Sequence, residues 1–237
     1  MLYFVGGANN DQDGWNYIKR FQRVFTTRGI QNFTRVNASH GKIRDILFTV
    51  YHNREAWYPF LSYGMGTPEG PYTRPISPPE RAVGWRRIED QLVHQVSRRI
   101  RHDIQSGSTN GQQLNLFGYS YGGVFQAHVA LLLMDRGVQI DYLILIGTPI
   151  PPLSRLYQYL NKHEAIKKLI RYDISDDLLS SPSIRSQMML GAIQNLFNRG
   201  HHFDVVKSNS TSDNFRPGIA DKHINKLADH LFSLGVR

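Results

Sequence analysis

Leu114-Asn115-Leu116-Phe117, then Gly118-Tyr119-Ser120-Tyr121-Gly122-Gly123, then an uncharged run to Met134 is the stretch on which the fold turns. It reads as a strand, a tight turn and a buried helix. A Gly-x-Ser-x-Gly turn holds its serine in a strained backbone conformation, so that the hydroxyl projects from the carboxyl edge of a sheet. The flanking positions are small because strand and helix approach closely there. A glycine-rich turn that only packs carries the same five-residue pattern, so the reading rests on the strand before it and the helix after it. The whole of Leu114 to Met134 approaches membrane-span length, but the glycines break it in the middle, and no transmembrane segment is expected.

Outward from this turn, short apolar runs alternate with longer helical patterns, which argues for a mostly parallel sheet of about six strands flanked by helices, an α/β class. The strand candidates are Leu2–Val5, Asp45–Tyr51, Leu114–Phe117, Tyr142–Ile146, Lys168–Tyr172 and Phe203–Lys207. Several are continuous apolar runs, as strands buried on both faces should be. Trp15, Ile18, Phe21 and Phe25 recur at helical spacing, with Asp13 placed as the cap. A second long helix opens at Ser77-Pro78-Pro79-Glu80, a capping-box signature, and carries the stripe Ile88, Leu92, Val96 and Ile100. The last carries Ile224, Leu227, Leu231 and Leu234 and stops at Gly235.

The chain of 237 residues carries 28 Lys+Arg against 19 Asp+Glu, a formal charge of +9 with its 10 histidines neutral. At 41% hydrophobic and 20% charged, it has the apolar material for one sizeable core, and 1–237 reads as a single domain. The absence of cysteine excludes a disulfide framework, a thiolate zinc site and a cysteine nucleophile. Met1 to Gly7 begins apolar and turns at once, unlike a secretory leader. The expected location is cytoplasmic, or exported without a classical signal peptide. The segment 52–84, rich in Pro, Gly and aromatics with neither period, is an irregular excursion of the kind that borders a substrate site. The segment 149–162, with Pro149, Pro151 and Pro152 ahead of Leu153, Leu156, Tyr157 and Leu160, is a candidate flap.

A serine raised on such a turn needs a base, and the partners follow in the order Ser, acid, His, each after a later strand. His223, in Asp221-Lys222-His223-Ile224 at the mouth of the last helix, fits the final place. His201 and His202 precede the last strand, His128 lies in the helix behind the serine, and His163 and His230 look surface-facing. For the acid, Asp173, Asp176 and Asp177 all follow the strand Lys168–Tyr172; Asp176 is preferred by a small margin because it lies in the loop that should reach the sheet edge. The oxyanion of a tetrahedral intermediate needs two backbone N–H donors. Tyr121 supplies one, and the turn Val5-Gly6-Gly7-Ala8-Asn9 the other, through Gly7 or its neighbour Ala8. No Gly-x-Gly-x-x-Gly follows that turn, so no nucleotide cofactor is expected. Asn9, Asp11, Asp13 and Gly14 match half of a calcium loop, but the position of the bidentate Glu is taken by Arg20, and no metal is expected.

The elbow Gly118-Tyr119-Ser120-Tyr121-Gly122-Gly123 and the run Leu143-Ile144-Leu145-Ile146-Gly147-Thr148-Pro149 resemble the α/β-hydrolase superfamily, in particular its lipase-like and thioesterase-like members. The resemblance implies an α/β-hydrolase fold entered at its third strand, without the first hairpin. It implies Ser120 as nucleophile, His223 as general base, Asp176 as its orienter, and Tyr121 and Gly7 as donors to the oxyanion. The function expected on this basis is hydrolysis of a carboxylic ester of a lipid or other long acyl substrate through an acyl-enzyme, without a cofactor. A thioesterase or acyltransferase would use the same triad, and a basic binding module on this fold is the alternative of another class. Arg81, Arg86, Arg87, Arg98, Arg99 and Arg101 gather on the capped helix, so an anionic membrane surface is a candidate partner. No nucleic-acid motif appears, and no nucleic-acid partner is expected.

Overall fold

The computed structural model describes residues 1–8, 17–30, 32–39, 41, 45, 49, 84–107, 111–152, 154–174 and 219–237, with the side chains of 84–90, 155 and 219–223 left aside. Among the described residues, five parallel strands form one sheet in the order β2-β1-β3-β4-β5, where β1 is Leu2–Val5, β2 Phe33–Arg35, β3 Asn115–Tyr119, β4 Ile140–Ile146 and β5 Ile166–Tyr172. Five helices accompany them among the described residues: α1 Tyr17–Thr27, α2 Gly84–Gln105, α3 Tyr121–Met134, α4 Arg155–Lys162 and α5 Ile219–Ser233. The α/β class expected from the alternation of patterns is the class observed.

Strand alternation divides the core into two layers. Tyr3, Val5, Leu116, Leu143 and Leu145 face α2, α3 and α4, where they meet Val96, Ile100, Val124 and Leu160. Leu2, Phe4, Phe117, Ile144 and Ile146 face α1 and α5, where they meet Phe21, Phe25, Ile224 and Leu231. Phe4, Phe21, Phe25 and Phe117 form a continuous aromatic cluster, with centroid spacings from 4.9 to 6.1 Å. Burial of such rings is the main stabilising contribution on this face, about 2 to 3 kcal/mol for each large side chain. The Tyr3 hydroxyl donates to Asp103 at 2.7 Å and ties α2 to β1.

Sequence and structure part company at one strand. Asp45–Tyr51 has the composition of a strand, yet Asp45 and Thr49 are helical: the Asp45 N–H donates to the Gly41 carbonyl at 3.0 Å, and the Thr49 hydroxyl to the Asp45 carbonyl at 2.9 Å. The local cause is Ser39, whose hydroxyl donates to the buried Asp45 carboxylate and accepts from Gly41 N–H at 3.1 Å, so side-chain bonds favour a turn into helix. The place beside β1 is filled instead by Phe33–Arg35, three residues too short to show alternation. β3 runs on to Tyr119, two residues past its expected end, so the strand leads directly into Ser120. The expected strand Phe203–Lys207, the excursion 52–83 and the caps Asp13 and Ser77 lie outside the described residues. Leu156 and Leu160 of the segment 149–162 are buried in the core as part of α4, which Ser154 caps by accepting from the Tyr157 N–H at 3.2 Å.

His128 sits in α3, and burial lowers its imidazole to about 4, leaving it neutral at pH 7. Because the folded value lies below the unfolded value of 6.5, the unfolded chain binds the proton first as pH falls. The stability held by neutral His128 is therefore complete above pH 6.5 and is lost on descending to about pH 4, a decline of about 3 kcal/mol. His128→Met is expected to flatten urea-unfolding stability across that window. A decline of undiminished size in the variant would contradict this assignment.

Candidate active site

The register of the sheet sets four strand ends level. Val5 of β1 pairs with Gly118, Gly118 with Leu145, and Leu145 with Arg171, so the turns after β1, β3, β4 and β5 all leave from one edge. β1 lies between β2 and β3, and the chain passes to β2 on one side and later returns to β3 on the other. The crevice at such a reversal, outside the carboxyl ends of the strands, is where open α/β sheets bind ligands. Gly6-Gly7-Ala8 and Ser120 flank it.

Ser120 has φ 55° and ψ −121° and is the only non-glycine residue with positive φ among the described residues. That conformation costs on the order of 1 to 3 kcal/mol and persists because the surroundings impose it. Ser120 N–H donates to the Ile146 carbonyl at 2.8 Å, and Gly123 N–H to the Ser120 carbonyl at 3.0 Å, which fixes both peptide planes. The serine stands at the head of α3 without a capping bond from its side chain to that helix. A β-carbon at Gly118 would overlap the Gly122 carbonyl, one at Gly122 the Val5 and Gly6 carbonyls, and one at Gly123 the Thr148 hydroxyl. Close approach of backbone thus requires Gly118 and Gly122, and the Thr148 side chain packed against the helix requires Gly123, as the Gly-x-Ser-x-Gly-Gly pattern implies.

Tyr121 opens α3, where the first backbone N–H groups face out of the helix toward the edge. Its side chain runs the other way: the ring is buried, and its hydroxyl donates to the Ala38 carbonyl at 2.6 Å, anchoring the elbow to the segment after β2. The turn after β1 has a partner that sequence reasoning does not supply. Gly7 N–H donates to the Tyr17 hydroxyl at 2.9 Å, inside the protein. Tyr17 is 2% exposed, and its ring meets Tyr119 edge-on at 5.7 Å, one residue before the serine. Ala8, half-buried, packs against the layer that contains α3.

Asp173 follows β5 directly and receives Arg171 Nε at 2.7 Å. Arg171 also donates to the Ile150 carbonyl and lies 5.6 Å over the Tyr157 ring, so it joins the segments after β4 and β5. Asp176 and Asp177 lie outside the described residues, as do His201 and His202. His223 belongs to the second turn of α5. The far end of that helix is fixed at the opposite edge by Tyr142 of β4, whose hydroxyl donates to the Leu234 carbonyl at 3.0 Å. The side chain of His223 lies outside the described residues. His163 accepts from Ala165 N–H at 3.1 Å through Nδ1, and the His230 ring lies 6.5 Å from that of Tyr172.

Arg171 and Tyr17 are the site-bordering residues that the sequence reading misses. Arg171 sits in a strand of mixed polarity, and Tyr17 lies one residue off the stripe Trp15, Ile18, Phe21, Phe25; only the fold shows what they join. Among the described residues no cluster of His, Asp and Glu is suited to hold a metal ion, and no helix is long and apolar enough to cross a membrane. No protein-family model matches the chain, and no curated protein matches it in sequence.

Proposed function

We propose that the protein is a serine esterase of the α/β-hydrolase kind, cleaving the carboxylic ester of a lipid or other long acyl substrate through an acyl-enzyme on Ser120. The observation that carries this reading is the positive φ of Ser120 at the head of α3, beside the reversal of strand order. A serine that only caps a helix adopts an ordinary extended backbone and bonds to the first turn, whereas Ser120 does neither.

In the proposed reaction Ser120 Oγ adds to the ester carbonyl carbon and its proton passes to His223, which Asp176 orients. The carbonyl oxygen becomes an oxyanion held by the Tyr121 N–H and an N–H of the turn after β1. Collapse of this intermediate releases the alcohol, protonated by His223, and leaves the acyl group on Ser120. Water, deprotonated by the same histidine, then attacks the acyl-enzyme and restores the serine. Arg98 and Arg99 on the solvent side of α2 favour an anionic membrane surface as the place of action, each worth about 1 kcal/mol near such a surface.

The test is a panel of a soluble short-chain ester, an acyl thioester and anionic phospholipid vesicles at low and high salt. Hydrolysis of the oxygen esters is expected, with the vesicle rate falling as salt rises and the soluble-ester rate nearly constant. Faster turnover of the thioester than of every oxygen ester would move the reading to a thioesterase. His223→Ala is expected to lower kcat by about 10⁶-fold, and Asp176→Asn by about 10⁴-fold. Full activity in Asp176→Asn with loss in Asp177→Asn would assign the acid to the neighbour.

A further inference from the structure

The geometry points to Tyr17 as a positioning residue that holds the Gly6–Gly7 peptide away from the reaction and leaves Ala8 N–H as the second donor to the oxyanion, an inference that rests on the esterase reading. Three observations carry it. The Gly7 N–H is already used, by the Tyr17 hydroxyl at 2.9 Å, within the buried layer of α1. The hydroxyl is held in place, because the Tyr17 ring is 2% exposed, 5.7 Å from Tyr119 and 6.2 Å from Phe21, both edge-on. Ala8 N–H belongs to the next peptide plane, has no acceptor among the described residues, and comes from a residue packed on the same layer as α3.

The physical consequence follows from the two glycines. Gly6-Gly7 has more backbone freedom than any other dipeptide, so the plane that presents Ala8 N–H is fixed only if something outside the turn fixes it. Val5 and Gly6 carbonyls against Gly122 restrain one side of the turn, and Tyr17 restrains the other. A donor aimed at a developing charge stabilises it most when no reorganisation is needed at the moment of reaction. Tyr17 touches no reacting atom; it acts through the turn.

Tyr17→Phe keeps the ring and removes the hydroxyl. The variant, assayed as the full chain on a soluble ester, is expected to lose about 10-fold to 100-fold in kcat with KM changed by less than about twofold. A second readout separates positioning from general damage. A trifluoromethyl ketone of the same acyl chain forms a hemiketal with Ser120, in which Oγ bonds to the carbonyl carbon, the π pair becomes an oxyanion and the serine proton passes to His223. Its affinity should fall in Tyr17→Phe by the same factor as kcat, while a non-reactive alcohol of that chain length binds both proteins equally. An unchanged or raised kcat in Tyr17→Phe, with the wild type active, would overturn the role of Tyr17 and return Gly7 N–H to the oxyanion while leaving the esterase reading standing. Equal losses in binding of ketone and alcohol would make Tyr17 a merely structural residue and overturn it as well. A wild type that hydrolyses no ester would overturn both the inference and the reading beneath it.

Discussion

Ser120→Ala is expected to lower kcat on a soluble ester by about 10⁶-fold, because removing the nucleophile from a triad abolishes the covalent route and leaves only binding and the oxyanion donors. The fold should survive, since the side chain makes no capping bond to α3 and only Oγ is lost. Ser120→Gly should be equally inactive yet more stable than Ser120→Ala. At φ 55° and ψ −121° any β-carbon is strained, and relief of that strain is worth about 1 kcal/mol after the greater freedom of glycine in the unfolded chain is subtracted. Urea unfolding of the two variants measures the difference. A glycine variant less stable than the alanine variant would show that the elbow stores no strain, and residual turnover above about one part in 10⁴ would move the nucleophile elsewhere.

Gly122→Ala is expected to have the largest effect on stability, a loss of at least ~3 kcal/mol, which is a large fraction of the stability of an ordinary domain. The added carbon would meet the Val5 and Gly6 carbonyls, which are backbone and belong to strand β1, paired on both sides, and its turn. Neither side can rotate away, so α3 must lift from the sheet, and the layer that holds Val124 and Phe125 opens with it. Gly111→Ala is the control: that glycine has φ 72° with nothing within 4 Å of an added carbon, so only the backbone preference is lost, about 1 kcal/mol. Thermal or denaturant unfolding of the pair decides the matter. A loss in Gly122→Ala no greater than in Gly111→Ala would mean that helix and strand are not in the close approach described.

The layer architecture is legible in the sequence because its signals are long and local. The apolar runs around Leu116 and Ile144 and the helical spacing of Ile18, Phe21 and Phe25 each report a burial pattern that the fold then satisfies. The strand β2 is not legible, since two half-buried residues and one exposed residue carry no period, and the helical conformation of Asp45 is favoured by Ser39 through side-chain bonds that pattern reading does not weigh. The elbow is legible down to its individual glycines, because each answers a steric demand at a known offset from Ser120. The donors of the oxyanion are only half legible. Tyr121 follows from its place after the serine, whereas the choice between Gly7 and Ala8 depends on Tyr17, which is distant from the motif and joined to it only by the packing of α1 on β1.

The central claim, that Ser120 is an activated nucleophile, is tested most directly by treating the full chain with a fluorophosphonate and locating the adduct by peptide mass spectrometry. The predicted result is one phosphonyl group per chain, on the peptide containing Ser120, absent from Ser120→Ala and formed far more slowly in His223→Ala. An unlabelled wild type, or an adduct that persists in Ser120→Ala, would contradict it.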